Sequence, residues 1–350
     1  MRIGLYGMPT AGKTHILDQI DFMEVALGSR LLREIDPEFD MRDEDGRKRD
    51  RVEFAKQMVK KKDFIMDGHF AFGNEIAFTE NDGEMYDVFL YLFISPEILK
   101  KRMTASEKNH KYAGYDITEW QLREIDGLRE YCHQNNKDFY VIDNPPQNYF
   151  EDVSEIIRFI KKIVKGYSCV SFARRCADDI LKKSTSDTVV LLDGDKTLTI
   201  EDSSKAVFGY ETHLYDGNFY TGYQAWKQNE EFKQYKVEEL TKLPIHLNEK
   251  VKAVLTKDSF ILTSGHKKIW GVIAGELQLD YYYGIEMSAE TKFFVTKYLQ
   301  KSGKRVVAYG DGMNDYFMLK QADEGFLVTK EDGSISRSLR ERDTEGLIIV

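Results

Sequence analysis

Short apolar runs alternate with longer amphipathic stretches through the first part of the chain. The apolar runs lie at 2–6, 64–67, 88–94 and 139–142. Helical periodicity follows Lys13 and recurs across 47–62, 96–103, 118–133 and 149–164. This alternation is typical of βαβ units, so it predicts an α/β domain with a doubly wound parallel sheet.

The pattern changes after Gly166, where a helical stretch at 171–183 ends in polar residues. A new apolar run at 188–192 then opens a second unit, which has further strand-like runs at 259–262 and 305–308. Between them, a segment rich in Tyr, Phe and Glu lacks strand alternation and predicts a largely helical insert. The predicted organisation is an α/β domain at 1–166, a linker with a helix at 167–187, and a second α/β domain at 188–350 whose insert spans about 200–247.

Composition favours a soluble globular protein, with 42% hydrophobic and 31% charged residues and six prolines. The apolar start is too short for a signal peptide, and no apolar run approaches the ~20 residues of a membrane helix. The thiols of Cys132, Cys169 and Cys176 lack metal-ligand spacing, which indicates a reducing, cytoplasmic compartment. The net charge of −9 favours small substrates over a long polyanion, although it leaves room for a local basic groove.

The first candidate site is the sequence GMPTAGKT, which has the pattern G-x-x-x-x-G-K-[ST] between a strand-like run and a helical one. Gly7 and Gly12 let backbone N–H groups surround phosphate oxygens at a helix N-terminus. Lys13 is expected to reach the β- and γ-phosphates of ATP, and the hydroxyl of Thr14 is expected to ligate Mg²⁺.

With this motif, residues 1–163 resemble the adenylate-kinase-like nucleoside and nucleotide kinases, a P-loop kinase fold. The resemblance implies that lid-helix arginines clamp the transferring phosphoryl group, and Arg102 and Arg129 occupy the matching places. Lys108 and Lys111 lie in the lid between them. The alternative interpretation is that both arginines are solvated helix charges.

Fewer sequence features indicate which residues bind the phosphoryl acceptor. Asp67 ends a strand-like run and precedes His69. Because the carboxyl ends of parallel strands face the ligand, Asp67 is predicted to lie near the metal or the acceptor. Arg33 and Arg42 belong to a charged segment placed where such kinases bind their second substrate, and a solvated loop is the alternative.

The second candidate site begins with Asp193-Gly-Asp195-Lys-Thr, a D-x-D-x-T pattern directly after a strand-like run. Asp193 is predicted to attack phosphorus and form an aspartyl-phosphate, while Asp195 protonates the leaving alcohol and then activates water. Ser264, with Thr263 as the alternative, ends another strand and would hydrogen-bond a phosphoryl oxygen. Lys292 would neutralise charge on the pentacoordinate phosphorus.

The fourth element of this set is Gly-Asp-Gly-Met-Asn-Asp, which contains Asp311 and Asp315. Together with Asp193 and Asp195, these carboxylates are predicted to form an oxygen shell for Mg²⁺. The four elements occur in the order found in the haloacid dehalogenase (HAD) superfamily, and 186–330 resembles its phosphoserine-phosphatase-like branch. The resemblance implies a Rossmann-like doubly wound sheet with the helical insert as a cap.

The predicted cap differs from that of phosphoserine phosphatases. Asp202 stands where the family places a substrate-binding carboxylate, but there is no arginine between Arg175 and Arg305 to hold a substrate carboxylate. The cap instead carries many aromatic residues, most of them expected in its own core: Phe208, Tyr210, Tyr215, Phe219, Tyr220, Tyr223, Trp226, Phe232 and Tyr235. A ring-bearing phosphomonoester is therefore predicted to be preferred over phosphoserine, with Tyr223 or Trp226 facing it.

The sequence thus predicts a bifunctional enzyme, with an ATP-dependent kinase of a small nucleoside- or metabolite-like acceptor joined to a Mg²⁺-dependent phosphomonoesterase. The partners expected are ATP and small phosphate compounds, with nucleic acid possible but not favoured. Two alternatives stay open. One is a polynucleotide kinase–phosphatase for end repair, and the other is an ATP-sensing P-loop domain that regulates the phosphatase.

Overall fold

The computed structural model describes residues 1–143, 152–209, 219–235 and 244–350. It divides the chain into two compact units, Met1–Tyr167 and Ser168–Val350. Among the helices of the described residues, none is long and apolar enough to cross a membrane.

The first unit is built on a parallel five-stranded sheet. Its strands are β1 (Arg2–Tyr6), β2 (Val25–Ala26), β3 (Phe64–Asp67), β6 (Val88–Phe93) and β7 (Asp138–Asp143), with a separate antiparallel hairpin of β4 (Ala71–Phe72) and β5 (Glu75–Ile76). The order in the sheet is β2-β3-β1-β6-β7, and every neighbouring pair is parallel. Because β1 and β3 are parallel, their carboxyl ends lie at the same edge of the sheet. The strand order reverses beside β1, and ligands bind at such a point in doubly wound sheets.

The helices of this unit follow the strands in alternation. They are α1 (Lys13–Leu17), α2 (Gly28–Ile35), α3 (Glu44–Met58), α4 (Glu80–Glu84), α5 (Pro96–Thr104), α6 (Ile117–Asn135) and α7 (Ser154–Val164). The parallel α/β architecture predicted from the sequence is therefore confirmed. α3 begins earlier than its apolar periodicity indicated because Asp43 caps it, accepting a hydrogen bond from the Gly46 N–H at 2.8 Å. Positions 149–151 of the predicted last helix lie outside the described residues.

The second unit has a six-stranded parallel sheet. Its strands are β8 (Thr188–Leu192), β9 (Ser259–Leu262), β10 (Asp280–Tyr282), β11 (Arg305–Gly310), β12 (Glu324–Leu327) and β13 (Ile348–Ile349), in the order β10-β9-β8-β11-β12-β13. Successive residues of β8 point to opposite faces: Val189 and Leu191 belong to one buried cluster, and Val190 and Leu192 to another. The sheet is thus covered on both faces, as a doubly wound fold requires.

The helices of the second unit cover both faces of its sheet and form the insert. They are α8 (Cys169–Lys183), α9 (Ser203–Phe208), α10 (Gly222–Phe232), α11 (Glu249–Lys252), α12 (Lys267–Leu277), α13 (Ala289–Lys301) and α14 (Met313–Gln321). The helix predicted within the linker is α8, and its buried residues Ala173 and Ile180 share the cluster that contains Leu191. It therefore belongs to the core of this unit.

The insert is helical where it is described, in α9 and α10. An antiparallel bridge between Thr199 and Leu247 pairs the two ends of the insert with each other. Two of the predicted cap aromatics, Tyr210 and Tyr215, lie outside the described residues.

Candidate functional sites

The loop between β1 and α1 has the backbone that its glycines permit. Gly7 has φ 151° and Gly12 has φ 99°, both in the region that favours glycine. A side chain at Gly7 would also place its Cβ 2.9 Å from the backbone oxygen of Leu92. Lys13 is folded back into this loop, where its Nζ donates to the carbonyl oxygens of Gly7 at 2.5 Å and Met8 at 3.1 Å.

Burial lowers the pKa of Lys13 to about 8, although the carboxylates of Asp67 and Glu124 act in the opposite direction. Thr14 is exposed in the first turn of α1. Asp67, at the carboxyl end of β3, accepts a hydrogen bond on Oδ1 from the Gly28 N–H at 2.8 Å, which fixes its side chain beside the start of α2. The structure therefore brings the predicted lysine, hydroxyl and carboxylate to one edge of the sheet.

A cavity of about 760 Å³ opens at this edge. It is lined by residues 9–12 of the loop between β1 and α1, which the sequence predicts to bind phosphate and which is called the phosphate loop below. Asp67, His69, Lys108 and Lys111 line it as well. Of the two arginines proposed for the acceptor, Arg33 lines the cavity and Arg42 does not. Both make close ion pairs, Arg33 with Asp40 at 2.7 Å and Arg42 with Asp36 at 2.6 Å.

The two lid arginines have different positions. Arg102 lies against the phosphate loop, where its Nη1 donates to the Thr10 carbonyl at 3.3 Å. Arg129 is only 3% exposed, pairs with Asp126 at 2.8 Å, and lies 5.4 Å from the ring centroid of Phe139. The prediction that Arg129 clamps a phosphoryl group is corrected, because its guanidinium is buried between α6 and β7. Neither arginine is among the described residues that line the cavity, and the role of Arg102 stays a prediction.

Two cavity residues were missed by the sequence analysis. Arg47 and Arg51 lie one helical turn apart on α3, and both line the cavity. The signal that could have identified them is their i, i+4 spacing in a stretch already predicted to be helical.

The second unit concentrates its candidate residues at the carboxyl ends of β8 and β11. Lys292, on α13, is completely buried, and its Nζ donates to Asp193 Oδ1 at 2.5 Å and to Asp315 Oδ1 at 2.7 Å. A buried cation between two carboxylates offsets part of their combined negative charge where water cannot. Three residues widely separated in sequence thus form one ion cluster.

Oxygen atoms of Asp193, Asp311 and Asp315 all lie within 4.8 Å of one another. Asp315 Oδ2 accepts from the backbone N–H groups of Asp311 and Gly312, each at 3.3 Å. Among the described residues, the carboxylate of Asp311 has no hydrogen-bond donor. Burial and the neighbouring Asp315 raise the pKa of Asp193 to about 7 and that of Asp311 well above its ordinary value. A hard divalent cation would relieve this repulsion, so the all-oxygen donor set fits Mg²⁺.

Asp195, predicted as a fourth metal carboxylate, lies outside that group. Its Oδ1 accepts a hydrogen bond at 2.7 Å from the N–H of Ser203, the first residue of the cap helix α9. Burial raises the pKa of Asp195 to about 6, and the charge of Asp202 adds to the effect. The prediction is corrected in this respect, because the Asp195 side chain is directed toward the cap. Asp202 itself caps α9 and pairs with Lys196 at 3.2 Å.

The hydroxyls at the end of β9 are both held in place. Ser264 Oγ donates to the Met287 carbonyl at 3.0 Å and accepts from Asn314 Nδ2 at 3.1 Å. Thr263 Oγ1 accepts from the Gly265 N–H at 3.0 Å. Asn314 was given no role from the sequence, although it lies within the Gly-Asp-Gly-Met-Asn-Asp element that carries Asp311 and Asp315.

Trp270, on α12, is a second residue that the sequence did not indicate. It is fully buried, and among the described residues its indole N–H has no acceptor. A Cβ added at Gly265 would lie 2.2 Å from Trp270 Nε1 and 2.9 Å from Asp195 Oδ2, and one added at Gly194 would lie 2.4 Å from Trp270 Cζ2. The indole therefore packs against both loops that carry the predicted catalytic groups.

Cap aromatics also lie beside this site. The rings of Phe208 and Phe232 lie 5.5 and 5.4 Å from the ring of His266, which follows Ser264 by two positions. Tyr223 and Trp226 are only 2% and 4% exposed, with ring centroids 6.0 Å apart. That either of them faces a substrate stays a prediction.

No protein-family profile matches the chain. One curated relative, an uncharacterized protein of Methanocaldococcus jannaschii, is 33% identical over 61 residues. That alignment covers 17% of this chain and 66% of the relative, just under two thirds of its length.

Several solved structures are similar to parts of the chain. A shikimate kinase from Acinetobacter baumannii in complex with shikimate is 15% identical over 46% of this chain and 93% of its own, with a TM-score of 0.34. A HAD-family hydrolase from Salmonella enterica serovar Typhi is 16% identical over 46% and 72%, with a TM-score of 0.29. A substrate-bound phosphoserine phosphatase is 17% identical over 43% and 90%, with a TM-score of 0.30. Kinases and HAD phosphatases, the two classes that the sequence resembles, are thus both among the similar structures.

Proposed function

We propose that this chain is a bifunctional phosphoryl-transfer enzyme, with a phosphomonoesterase site in the second unit and an ATP-dependent kinase site in the first. The observation that carries the proposal is the buried cluster of Asp193, Lys292 and Asp315 beside Asp311. Phosphoryl transfer through an aspartate needs a buried nucleophile, a lysine that offsets its charge, and carboxylates that bind a cation.

In the phosphatase reaction, a carboxylate oxygen of Asp193 bonds to phosphorus as the bond from phosphorus to the leaving alcohol breaks. Asp195 donates its proton to that alcohol, and burial supports this role because it raises the pKa of Asp195 to about 6. Asp195 then takes a proton from water, whose oxygen attacks phosphorus and releases phosphate, restoring Asp193.

Lys292 has a positioning and an electrostatic role in this scheme. Its Nζ holds Asp193 Oδ1 at 2.5 Å, which directs the other oxygen of that carboxylate toward the substrate. A Mg²⁺ bound by Asp193, Asp311 and Asp315 would supply positive charge opposite the phosphoryl oxygens. The hydroxyl of Ser264, held by Asn314, is placed to donate to a phosphoryl oxygen in exchange for its bond to Met287.

In the kinase reaction, Lys13 would leave the carbonyl oxygens of its own loop and bind the phosphates of ATP. The acceptor hydroxyl would attack the γ-phosphorus as the bond to ADP breaks, with Asp67 oriented by Gly28 to take the hydroxyl proton. Thr14, exposed beside Lys13, is the Mg²⁺ ligand in this scheme.

A phosphomonoester panel tests the phosphatase half in the full chain. We expect hydrolysis that requires Mg²⁺ and is lost with EDTA, and full activity in a chelated sample would contradict the proposal. Because the cap has no arginine to pair a substrate carboxylate, kcat/KM for phosphoserine should be at least ~100-fold below that of the best ring-bearing ester. Oligonucleotide 3′- and 5′-phosphates in the same panel test the end-repair alternative.

A further inference from the structure

Two glycines beside the candidate catalytic groups of the second unit are not required by their own backbone. Gly194 separates the two aspartates of the D-x-D-x-T pattern and Gly265 follows Ser264, and neither glycine has a positive φ. Both make room for the indole of Trp270. A Cβ at Gly194 would lie 2.4 Å from its Cζ2, and one at Gly265 would lie 2.2 Å from its Nε1. Two loops with proposed catalytic groups therefore pack on one ring.

The indole of Trp270 carries a polar group that packing alone does not require. The residue is completely buried, and within the described part of the chain its N–H has no acceptor. A buried donor without an acceptor destabilises the folded state, and such groups are rare in native proteins. A phenyl ring would pack beside the glycines without that cost. The N–H of this indole therefore requires an explanation beyond the filling of space.

The carboxyl group of Asp195 supplies an acceptor close to this N–H. Asp195 Oδ1 accepts a hydrogen bond from the Ser203 N–H at 2.7 Å, whereas no described residue donates to Oδ2. Oδ2 lies 2.9 Å from the point that a Cβ of Gly265 would occupy, and the indole Nε1 lies 2.2 Å from the same point. Both atoms thus border the space that the glycine leaves open. A rotation of the carboxyl group brings them into contact, and catalytic hydrogen bonds often tighten only when substrate is bound.

We propose that the Trp270 N–H donates to Asp195 Oδ2 during phosphoryl transfer and so positions the carboxyl group. The proposal rests on the proposed phosphatase function and adds a positioning residue to it. With Oδ2 held by the indole, Oδ1 exchanges its bond to the Ser203 N–H for one to the substrate. Its proton then passes to the leaving oxygen as the bond from phosphorus to that oxygen breaks. Negative charge develops on Asp195 in this step, so the bond from the indole strengthens in the transition state.

The competing interpretation is that Trp270 only fills the volume beside the two glycines. The leaving group distinguishes the two interpretations. An alkyl alcohol needs a proton as it leaves phosphorus, whereas a dinitrophenolate leaves without one. Loss of an N–H that positions the general acid therefore slows only the first reaction. A general disturbance of the packing slows both.

The test compares kcat/KM of the full chain with Mg²⁺ for benzyl phosphate and for 2,4-dinitrophenyl phosphate. Trp270→Phe removes the N–H and keeps an aromatic ring. Trp120→Phe is the matched control, because the indole of Trp120 is also buried and donates to Glu124 at 3.2 Å, in the first unit. Replacement of Trp270 by benzothienylalanine, in which sulfur takes the place of the N–H, preserves the shape of the ring if the phenylalanine variant folds poorly.

We expect Trp270→Phe to lower kcat/KM for benzyl phosphate about 10-fold or more, the effect of one hydrogen bond to a charged group. The value for the dinitrophenyl ester should stay within about twofold, since that reaction needs no proton from Asp195. Benzothienylalanine should act as phenylalanine does, and Trp120→Phe should change neither value. In an Asp195→Asn background, Trp270→Phe should have no further effect on benzyl phosphate, because the two residues act through one contact.

Three results would contradict this account. Equal losses for the two esters, or no loss for either, in both Trp270 variants overturn the positioning role and leave the phosphatase function in place. A full additional loss in the Asp195→Asn background also overturns it, because the indole would then act independently of Asp195. Hydrolysis of neither ester by the wild type overturns the proposed phosphatase function itself, and the positioning role with it.

Discussion

The two units handle buried charge in opposite ways. In the second unit, Lys292 is completely enclosed and contacts two carboxylates, at 2.5 and 2.7 Å. In the first unit, Arg51 has no carboxylate at that range within the described residues, and the closest one to Arg47 is at 3.9 Å. The phosphatase-type site thus balances its lysine internally and has carboxylate to spare for a cation. In the cavity of the first unit, basic side chains are instead mixed with the carboxylates of Asp40, Asp67, Glu75 and Asp82, which line it as well.

Replacing Lys292 should have the largest effect of the substitutions considered, because it removes the charge that the second unit balances internally. Lys292→Met leaves Asp193 and Asp315 facing each other without compensation, so the second unit should lose about 3–5 kcal/mol of stability. Phosphatase kcat should fall by ~10²–10³ or more, because the nucleophile loses its orientation and the phosphoryl group its charge compensation. Denaturant unfolding and steady-state hydrolysis measure the two effects. Lys301→Met, at an exposed position on the same helix, should change neither.

Trp270 packs against the loops at Gly194 and Gly265, which carry the proposed catalytic groups, and this packing can be tested by adding a methyl group. Gly265→Ala would bring a Cβ within 2.2 Å of Trp270 Nε1 and 2.9 Å of Asp195 Oδ2. Such overpacking typically costs about 1–3 kcal/mol, and kcat for hydrolysis should fall while ATP binding is unchanged. Gly275→Ala, on α12 with no atom within 4 Å of the added Cβ, is the control. Equal behaviour of the two variants would show that the indole does not constrain the loops.

The stabilisation of the second unit by Mg²⁺ should vary with pH. Burial raises the pKa of Asp193 to about 7, so the folded unit binds more protons than the unfolded chain between about pH 4 and pH 7. Without metal, its stability should therefore fall as the pH rises through that range. Mg²⁺ should restore stability most where the carboxylates are ionised, by about 1.4 kcal/mol at a tenfold excess over Kd.

Thermal unfolding with and without Mg²⁺ at about pH 5.5 and pH 8 measures this effect. Asp311→Asn should abolish the Mg²⁺ shift, whereas Asp187→Asn, exposed at the start of the unit, should retain it. A shift that is as large in Asp311→Asn, or larger at the lower pH, would place the cation elsewhere.

The smallest predicted effect concerns the phosphate loop of the first unit. The pKa of Lys13 is lowered to about 8, and the phosphates of ATP should raise it again. At about pH 8.5, ATP binding should then take up as much as about 0.7 of a proton, and at about pH 6.5 almost none, because Lys13 is already protonated. Calorimetry in buffers of different ionisation enthalpy detects this uptake. Its persistence in Lys13→Ala would assign the proton to another group.

Much of the architecture was predictable because local patterns agree with the tertiary structure. The strand-like runs at 188–192 and 259–262 match β8 and β9 residue for residue, since fully buried parallel strands are continuous apolar runs. The motif residues Asp193, Lys292 and Asp315 converge because each follows a strand end or begins a helix at the same edge of the sheet.

Other features were not predictable because they depend on contacts between distant segments. Arg129 has the spacing of a lid arginine, but the ring of Phe139 and the carboxylate of Asp126 hold it inside the unit. The direction of Asp195 depends on where the cap places the Ser203 N–H, and the role of Trp270 depends on two glycines remote from it in sequence. Such information is absent from periodicity and motif spacing.

The central claim is that the chain has two separate phosphoryl-transfer sites. It is tested most directly by measuring both activities in the wild type and in the variants Asp193→Asn and Lys13→Ala. Asp193→Asn should lower phosphatase turnover by ~10³ or more and leave ATP binding and consumption intact, as expected for loss of a covalent nucleophile. Lys13→Ala should abolish ATP binding and leave hydrolysis of the best phosphomonoester unchanged. If either substitution removed both activities in a protein that remained folded, the account of two independent sites would be wrong.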